Sequence, residues 1–473
     1  MKSSRYIWLI GLGVTMIIIA LPIILFTRPE VSRAASPWDY VPSKSAHVDH
    51  TALIKGPFTT GQDVTKTCLT CHEDAAHDVQ MTAHFKWEGE PVQLPGHDQP
   101  VAIGKKNLLN NFCIGVQSNW TGCTKCHAGY GWSDANYDFT AQENVDCLVC
   151  HDQSRTYAKG KSGNPADGVD LVVAARSVAR PTRENCGSCH FNGGGGNAVK
   201  HGDLDESMYY PPADLDVHMG RLNFQCVDCH RTTDHQVGGR AISVSVDNKN
   251  QIACTDCHKG EAIHPDARLN KHLDAVACQT CHIPTTAGGK YATKIEWDWS
   301  TAGQDLPEDV HEYLKIKGSF VYERNIPPTY AWFNGTLADR YLLGDPIDPN
   351  QITVLNPLAG SRNDPNSKIW PFKVHDAKQP YDTVYNYLLQ PQTVGNYWVN
   401  FNWDLALRAG AEATGLKYSG QYGFAQTRMY WPQSHMVRPA EQALQCTDCH
   451  GENGRMDWAA LGYPGDPMTW GGR

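Results

Sequence analysis

Residues 254–282 read CTDCHKGEAIHPDARLNKHLDAVACQTCH, and this stretch decides the class of the protein. Cys254-Thr255-Asp256-Cys257-His258 and Cys278-Gln279-Thr280-Cys281-His282 repeat one pattern: two cysteines separated by two residues, then histidine at once. Two further histidines, His264 and His272, stand between them. Outward from here the pattern recurs at Cys68-Cys71-His72, Cys123-Cys126-His127, Cys147-Cys150-His151, Cys186-Cys189-His190, Cys226-Cys229-His230 and Cys446-Cys449-His450, eight copies in 473 residues. In such a pattern the two thiols form thioether bonds to a porphyrin edge, and the adjacent imidazole reaches the iron. Zinc sites and redox dithiols also use paired cysteines, but eight copies each closed by His exclude them. The cofactor is therefore eight covalently bound c-type haems.

Sixteen of the seventeen cysteines are consumed, and Cys113 is left over. Eight large apolar macrocycles replace much side-chain core. The expected fold class is thus a multihaem cytochrome c, mainly α and irregular structure wrapped around eight haems, with little β.

The first residues set the compartment. Lys2 and Arg5 precede an almost unbroken apolar run from Tyr6 to Phe26, and Arg33-Ala34-Ala35-Ser36 supplies small residues after it. This is an export signal cleaved near Ala35, or an uncleaved N-terminal anchor, the run being close to the roughly 20 residues that span a bilayer. The remainder lies in the periplasm or outside the cytoplasm, soluble or tethered. Formal charge is −9, and beyond residue 35 it becomes −12. Haem propionates add to it, so nucleic acid is excluded as a partner. A small anionic substrate and a quinol-linked or cytochrome electron donor are the partners such a protein needs.

Four regions follow: 1–35, the signal or anchor; 36–282, a seven-haem region; 283–445, a haem-free, aromatic-rich cover; and 446–473, the eighth motif and tail. Thr140 to Glu143 reads as a capping box before Cys147, and Pro439 suits the first turn of a helix ending near Cys446. Ala241 to Val246 alternates apolar and polar before Asp247-Asn248-Lys249-Asn250, which predicts a small hairpin. Asn400 to Gly415 is the best helix of the cover, and the glycine run Gly193 to Gly196 is a loop, either a connector or backbone passing close to a haem face. The cover's aromatic residues read as packing rather than as electron relays.

Eight of the 21 histidines are proximal, leaving 13. Such a surplus is what bis-histidine ligation requires. Local context selects His50, His84, His218, His235, His264, His272 and His435 as distal ligands; Met219 is a weaker alternative beside His218.

Three features depart from a plain electron carrier: unpaired Cys113, the segment Asn197 to Asp203 after the glycine run, and the polar cluster Lys373-Val374-His375-Asp376-Ala377-Lys378. With them the chain resembles the octahaem tetrathionate reductase family of c-type cytochromes. The resemblance rests on eight motifs with the long gap before the last, Lys200-His201-Gly202-Asp203, Asp216-Val217-His218-Met219 and isolated Cys113. It implies Lys200 as distal ligand on the haem of Cys123, Cys126 and His127, with Cys113, Lys373 and Asp376 lining the pocket beside it.

Tetrathionate carries two negative charges and its two-electron cleavage yields two thiosulfates carrying four, so cations at the pocket would stabilise the developing charge. A Cys113 thiolate near those cations is expected to have a lowered pKa. The alternatives are a nitrite- or hydroxylamine-type multihaem reductase and a non-catalytic electron conduit.

Overall fold

The computed structural model describes residues 7–26, 36–44, 46–260 and 263–472. The cleavage region near Ala35 lies outside the described residues. Backbone contacts divide the chain into two units, residues 1–43 with 253–270, and residues 44–252 with 271–473.

The smaller unit holds a 20-residue helix, Ile7–Phe26. The side chains described in it, Trp8, Leu9 and Gly11–Ile18, do not by themselves make a membrane-spanning run. A short 3-10 turn, Pro37–Tyr40, is capped by Ser36. The sixth motif also belongs here; Lys259 Nζ lies 4.1 Å from the Tyr40 ring centroid.

In the larger unit, regular structure near the motifs is short. Helix Gly61–Leu69 runs into the first motif from a capping box of Thr60 and Asp63, and helix Arg183–His190 contains the fourth. Elsewhere the motif is itself one turn, as at Cys226–Cys229 and Cys446–Cys449, whose starts are tied by Asp228 and Asp448. Each carboxylate accepts a backbone N–H that the helix leaves unused.

Local expectations fared unevenly. Helix Trp403–Thr414 starts three residues later than its apolar pattern suggested, because Phe401 adopts a left-handed backbone; Asn402 then caps it and Gly415 ends it. Thr140 bonds Asp138 instead of completing a capping box. Pro439 precedes only a 3-10 turn, Ala440–Gln442. The hairpin is not at Ala241 to Val246, where Ile242 and Val246 pack into the core as an irregular segment. It is formed by β1 (Thr232–Thr233) and β2 (Gln236–Val237), turning at Asp234 and His235, both with positive φ.

The haem-free segment builds an eight-stranded sheet from β3 (Thr293–Asp298), β4 (Tyr313–Leu314), β5 (Gly318–Glu323), β6 (Thr329–Phe333), β7 (Thr353–Val354), β8 (Lys368–Asp382), β9 (Tyr387–Leu388) and β10 (Tyr422–Pro432). Its axis is β8, 15 residues long. One edge of β8 pairs antiparallel with β10 along eleven residues. The other serves β6, then β3 in parallel, then β9. Along β8 the odd-numbered residues from Ile369 to Gln379 are all buried, while Val374, Asp376 and Lys378 are half-buried or exposed. That alternation follows from the pleat. Trp297, Trp299, Trp403 and Trp431 pack the core against Leu389, Leu407 and Met429.

Candidate active site and haem ligands

Four imidazole pairs face one another at a common spacing. Ring centroids lie 6.3 Å apart for His50 and His72, 6.2 Å for His84 and His190, 6.2 Å for His230 and His435, and 6.3 Å for His272 and His450. Each pair joins a motif histidine to a spare one. A metal bound by a nitrogen about 2 Å away on either side sets ring centres about 6 Å apart. The gap therefore fits an iron ligated on both faces.

The outer nitrogens are anchored as such ligation requires, since a ligating imidazole donates its other N–H to a carbonyl or carboxylate. His50 Nδ1 reaches Val48 O at 2.8 Å, His151 Nδ1 reaches Ala179 O at 2.9 Å and His230 Nδ1 reaches Gly238 O at 2.8 Å. His450 Nδ1 donates to Asp466 Oδ1 at 2.7 Å, and His435 Nδ1 lies 3.2 Å from Asp203 Oδ2. Asp203 and Asp466 have no motif to announce them. Only Asp203's place in the Lys200 segment could have singled it out.

The other distal candidates are placed less closely. His235 lies within electrostatic range of His151. His218 sits on the turn Val217–Arg221, its ring 6.0 Å from Phe224. The His264 backbone exchanges hydrogen bonds with the Asn270 side chain.

Cysteines of different motifs meet directly. The Cys68 thiol contacts Cys147, Cys126 contacts Cys189 and Cys186 contacts Cys226. Attachment points of the first and third, second and fourth, and fourth and fifth motifs thus adjoin.

The second motif is unlike the paired ones. His127 is fully buried inside Phe85, Trp87, Trp132, Tyr137 and Phe139, with Nε2 2.6 Å from Phe85 O. Its Nδ1 is buried without a hydrogen-bond partner among the described residues. Behind it Lys159 Nζ donates to His127 O at 2.6 Å, Gly129 O at 3.1 Å and Asp146 Oδ2 at 2.6 Å. Asp146 also accepts from Tyr130 and Tyr157, so this buried ion pair is saturated.

Near the same motif, Lys200 and Cys113 come into electrostatic range of Cys126 and of each other. The glycine run makes this possible. A β-carbon on Gly194 would lie 2.8 Å from the Phe112 ring, one on Gly195 would lie 3.1 Å from Cys113 Sγ, and one on Gly193 3.3 Å from Lys200 Cδ. Burial, then nearby Lys105, holds the Lys200 amine down to about 8. That lowers the work of presenting a neutral nitrogen, the form a metal binds.

Beside Gly195 opens a cavity of about 460 Å³, lined by Asn197, Lys294, His311, Lys317 and Tyr322 among others. Lys294 and Lys317 act on Cys113, with Lys105. These three lysines carry no sequence signal, since each comes from a different turn or strand. Their cations do not make Cys113 a thiolate: burial pushes the thiol up and outweighs them, contrary to the lowered pKa expected from charge alone.

Lys373 and Asp376 point opposite ways. Lys373 is buried, with Nζ donating to Val199 O at 2.7 Å, Lys200 O at 3.1 Å and Thr293 Oγ1 at 2.7 Å. Asp376, three residues on and so on the other face of β8, accepts two hydrogen bonds from Arg428 at 2.7 and 2.8 Å. The structure brings Lys200 and Cys113 together, sets Lys373 behind them and leaves Asp376 outside.

A solved octaheme cytochrome c from Shewanella oneidensis is 49% identical to this chain, covers 89% of it and 98% of its own length, and superposes with a TM-score of 0.84. The chain belongs to the octaheme cytochromes c. Residues 213–283 match the family described as cytochrome c7 and related cytochrome c, and residues 294–453 match bacterial cytochrome c. An uncharacterized protein of Archaeoglobus fulgidus is 24% identical over 246 residues, 41% of this chain and 82% of the relative. As an octaheme cytochrome c the protein carries multiple covalently bound c-type haems, and its chemistry is electron transfer or reduction.

Proposed function

We propose that this octaheme cytochrome c is an exported reductase that loads all eight motifs and delivers electrons to a sulfur oxyanion, tetrathionate, beside the second motif. The observation that carries the reading is the convergence of Lys200, Cys113 and Cys126 next to a cavity lined by Lys294 and Lys317. Adding two electrons to the central sulfur–sulfur bond of tetrathionate breaks it and gives two thiosulfates, so net charge goes from two negative to four. The haems, when bound, would supply those electrons one at a time. Lys317 draws the dianion into the cavity, and Lys294, held neutral by burial until the anion arrives, takes up a proton there and helps hold the charge that develops. Cys113, kept as a thiol by burial, offers sulfur a soft, weakly donating surface. Lys200 would hold the haem of His127 from its distal side; His50, His84, His272 and His435 would serve the haems of the histidines they face, with His218, His235 and His264 completing the set. The electron donor is a quinol-linked protein or another cytochrome outside the cytoplasm, where the N-terminal segment directs the chain.

The test is electron paramagnetic resonance of ferric Lys200→Leu protein whose mass first establishes eight haem adducts. One low-spin haem is expected to become high-spin or water-ligated while the rest keep their signals, and reoxidation by tetrathionate is expected to change. An unchanged spectrum removes Lys200 from the ligand set. Parent protein that reduced haems leave unoxidised by tetrathionate would favour a nitrogen-oxide substrate or a plain conduit.

A further inference from the structure

The segment that carries Lys200 has no regular structure of its own, yet five successive carbonyls in it are bound from outside. Ala198 O accepts from Thr293 Oγ1 at 2.6 Å, Val199 O and Lys200 O accept from Lys373 Nζ, His201 O accepts from Gln433 Nε2 at 3.0 Å, and Gly202 O accepts from the Ala287 N–H at 2.6 Å. Three of the four donors are side chains of the sheet or of the residue just after it. Lys373 is central among them, its Nζ in hydrogen-bond contact with Val199 O, Lys200 O and Thr293 Oγ1. The fit is tight. Gly202 has φ +85°, and a β-carbon there would lie 2.9 Å from Lys373 Cδ and from Thr286 Cγ2. On the same buried face of β8, His375 O accepts from Asn111 Nδ2 at 2.6 Å and its Nδ1 lies 3.0 Å from Asn111 Oδ1, while Gln379 donates to Asn110 O at 2.8 Å. Asn110 in turn accepts from the Cys113 N–H at 2.8 Å. One strand face therefore bonds the backbone of Val199 and Lys200 directly and, through Asn110 and Asn111, holds the turn that carries Cys113.

We propose that Lys373 is a positioning residue: through the carbonyls of Val199 and Lys200 it fixes Lys200 at the haem of the second motif, and β8 thereby sets Lys200 against Cys113. The proposal rests on the reading of Lys200 as the distal ligand. It gives Lys373 no contact with substrate. A lone buried lysine in contact with carbonyls and a hydroxyl has otherwise only a structural use, so the test needs a local readout.

The experiment uses the full haem-loaded chain with Lys373→Met, Thr293→Val and Lys200→Leu. Hydrogen exchange followed by mass spectrometry reads residues 197–203, and electron paramagnetic resonance reads the distal ligand. In Lys373→Met the segment is expected to exchange at least about tenfold faster, because its carbonyls lose their donor. A fraction of one haem should take on the signature that Lys200→Leu gives in full, with the paired haems unchanged. Thr293→Val, which removes the bond to Ala198 O and one of the three partners of Lys373 Nζ, should give a smaller shift of the same kind and decides the matter if Lys373→Met does not fold. If Lys200→Leu converts one haem and neither other variant does, the positioning role is overturned and the ligand reading stands. If Lys200→Leu converts none, the ligand reading fails and the positioning role fails with it.

Discussion

Replacing Lys294 with methionine should abolish a pH dependence that the parent protein owes to this one side chain. Lys294 Nζ lies 3.4 Å from the ring centroids of both Trp297 and Phe320, and burial holds its amine down to about 6. At pH 7 it is mostly neutral, and charging it requires about 1.4 kcal/mol, the equivalent of one pH unit. A negative charge arriving about 4 Å away attracts the ammonium by about 4 kcal/mol at an effective dielectric near 20. The attraction wins by about 2.6 kcal/mol, so an anion entering the cavity takes up a proton at Lys294. That attraction also moves the amine about three pH units higher in the complex, to near 9. Between about pH 6 and 9 each unit rise should therefore raise KM for tetrathionate up to tenfold. Lys294→Met should remove that slope and raise KM about 100-fold at pH 7. Stopped-flow reoxidation of reduced protein, followed across this range, measures both.

The same variant should be the more stable protein. With a folded value near 6 and an unfolded one near 10.5, the unfolded chain holds the extra proton between them, so parent stability rises with pH across that window. Below pH 6 the penalty is complete, and methionine removes it. A KM that is flat in the parent, or a slope that survives in Lys294→Met, would refute the role given to this lysine.

Cys113→Ala should slow reoxidation by tetrathionate about 100-fold, the range seen when one pocket contact is lost, while reduction by an artificial donor stays at the parent rate; stopped-flow spectra separate the two. His84→Ala should convert one low-spin haem to high spin, since the His84 ring faces His190 at 6.2 Å; magnetic resonance spectra that stay at parent values would remove it from the ligand set. Lys159→Met should destabilise the protein by about 3 to 5 kcal/mol, because it leaves Asp146 buried and charged. Tyr157→Phe removes one neutral donor from the same carboxylate and should cost about 1 kcal/mol, so thermal unfolding that ranks the two equally would contradict the ion-pair account.

The sequence carried the haem chemistry because thioether attachment is local: five consecutive residues hold everything the bond needs. The pairing of histidines is another matter. His50, His84, His272 and His435 could be picked from the surplus, but their partners, His72, His190, His450 and His230, lie from 22 to 205 residues away, and only folding matches them. The Lys373 to Asp376 cluster shows why proximity in sequence misleads in a strand. A spacing of three puts two residues on one face of a helix and on opposite faces of a sheet. Here it gave Lys373 to the interior and Asp376 to Arg428.

Tryptophans of the haem-free region pack the core. The region's larger use was invisible in composition. An irregular segment bearing a critical side chain needs partners for its carbonyls, and a neighbouring haem offers a porphyrin face no hydrogen bonds to give. Donors must then come from an element with its own rigid ladder, and a long central strand flanked on both edges supplies them at fixed intervals of two residues. Lys373, His375 and Gln379 occupy that series on β8, which ties the haem-free region to the two residues, Cys113 and Lys200, on which the proposed reductase reading rests.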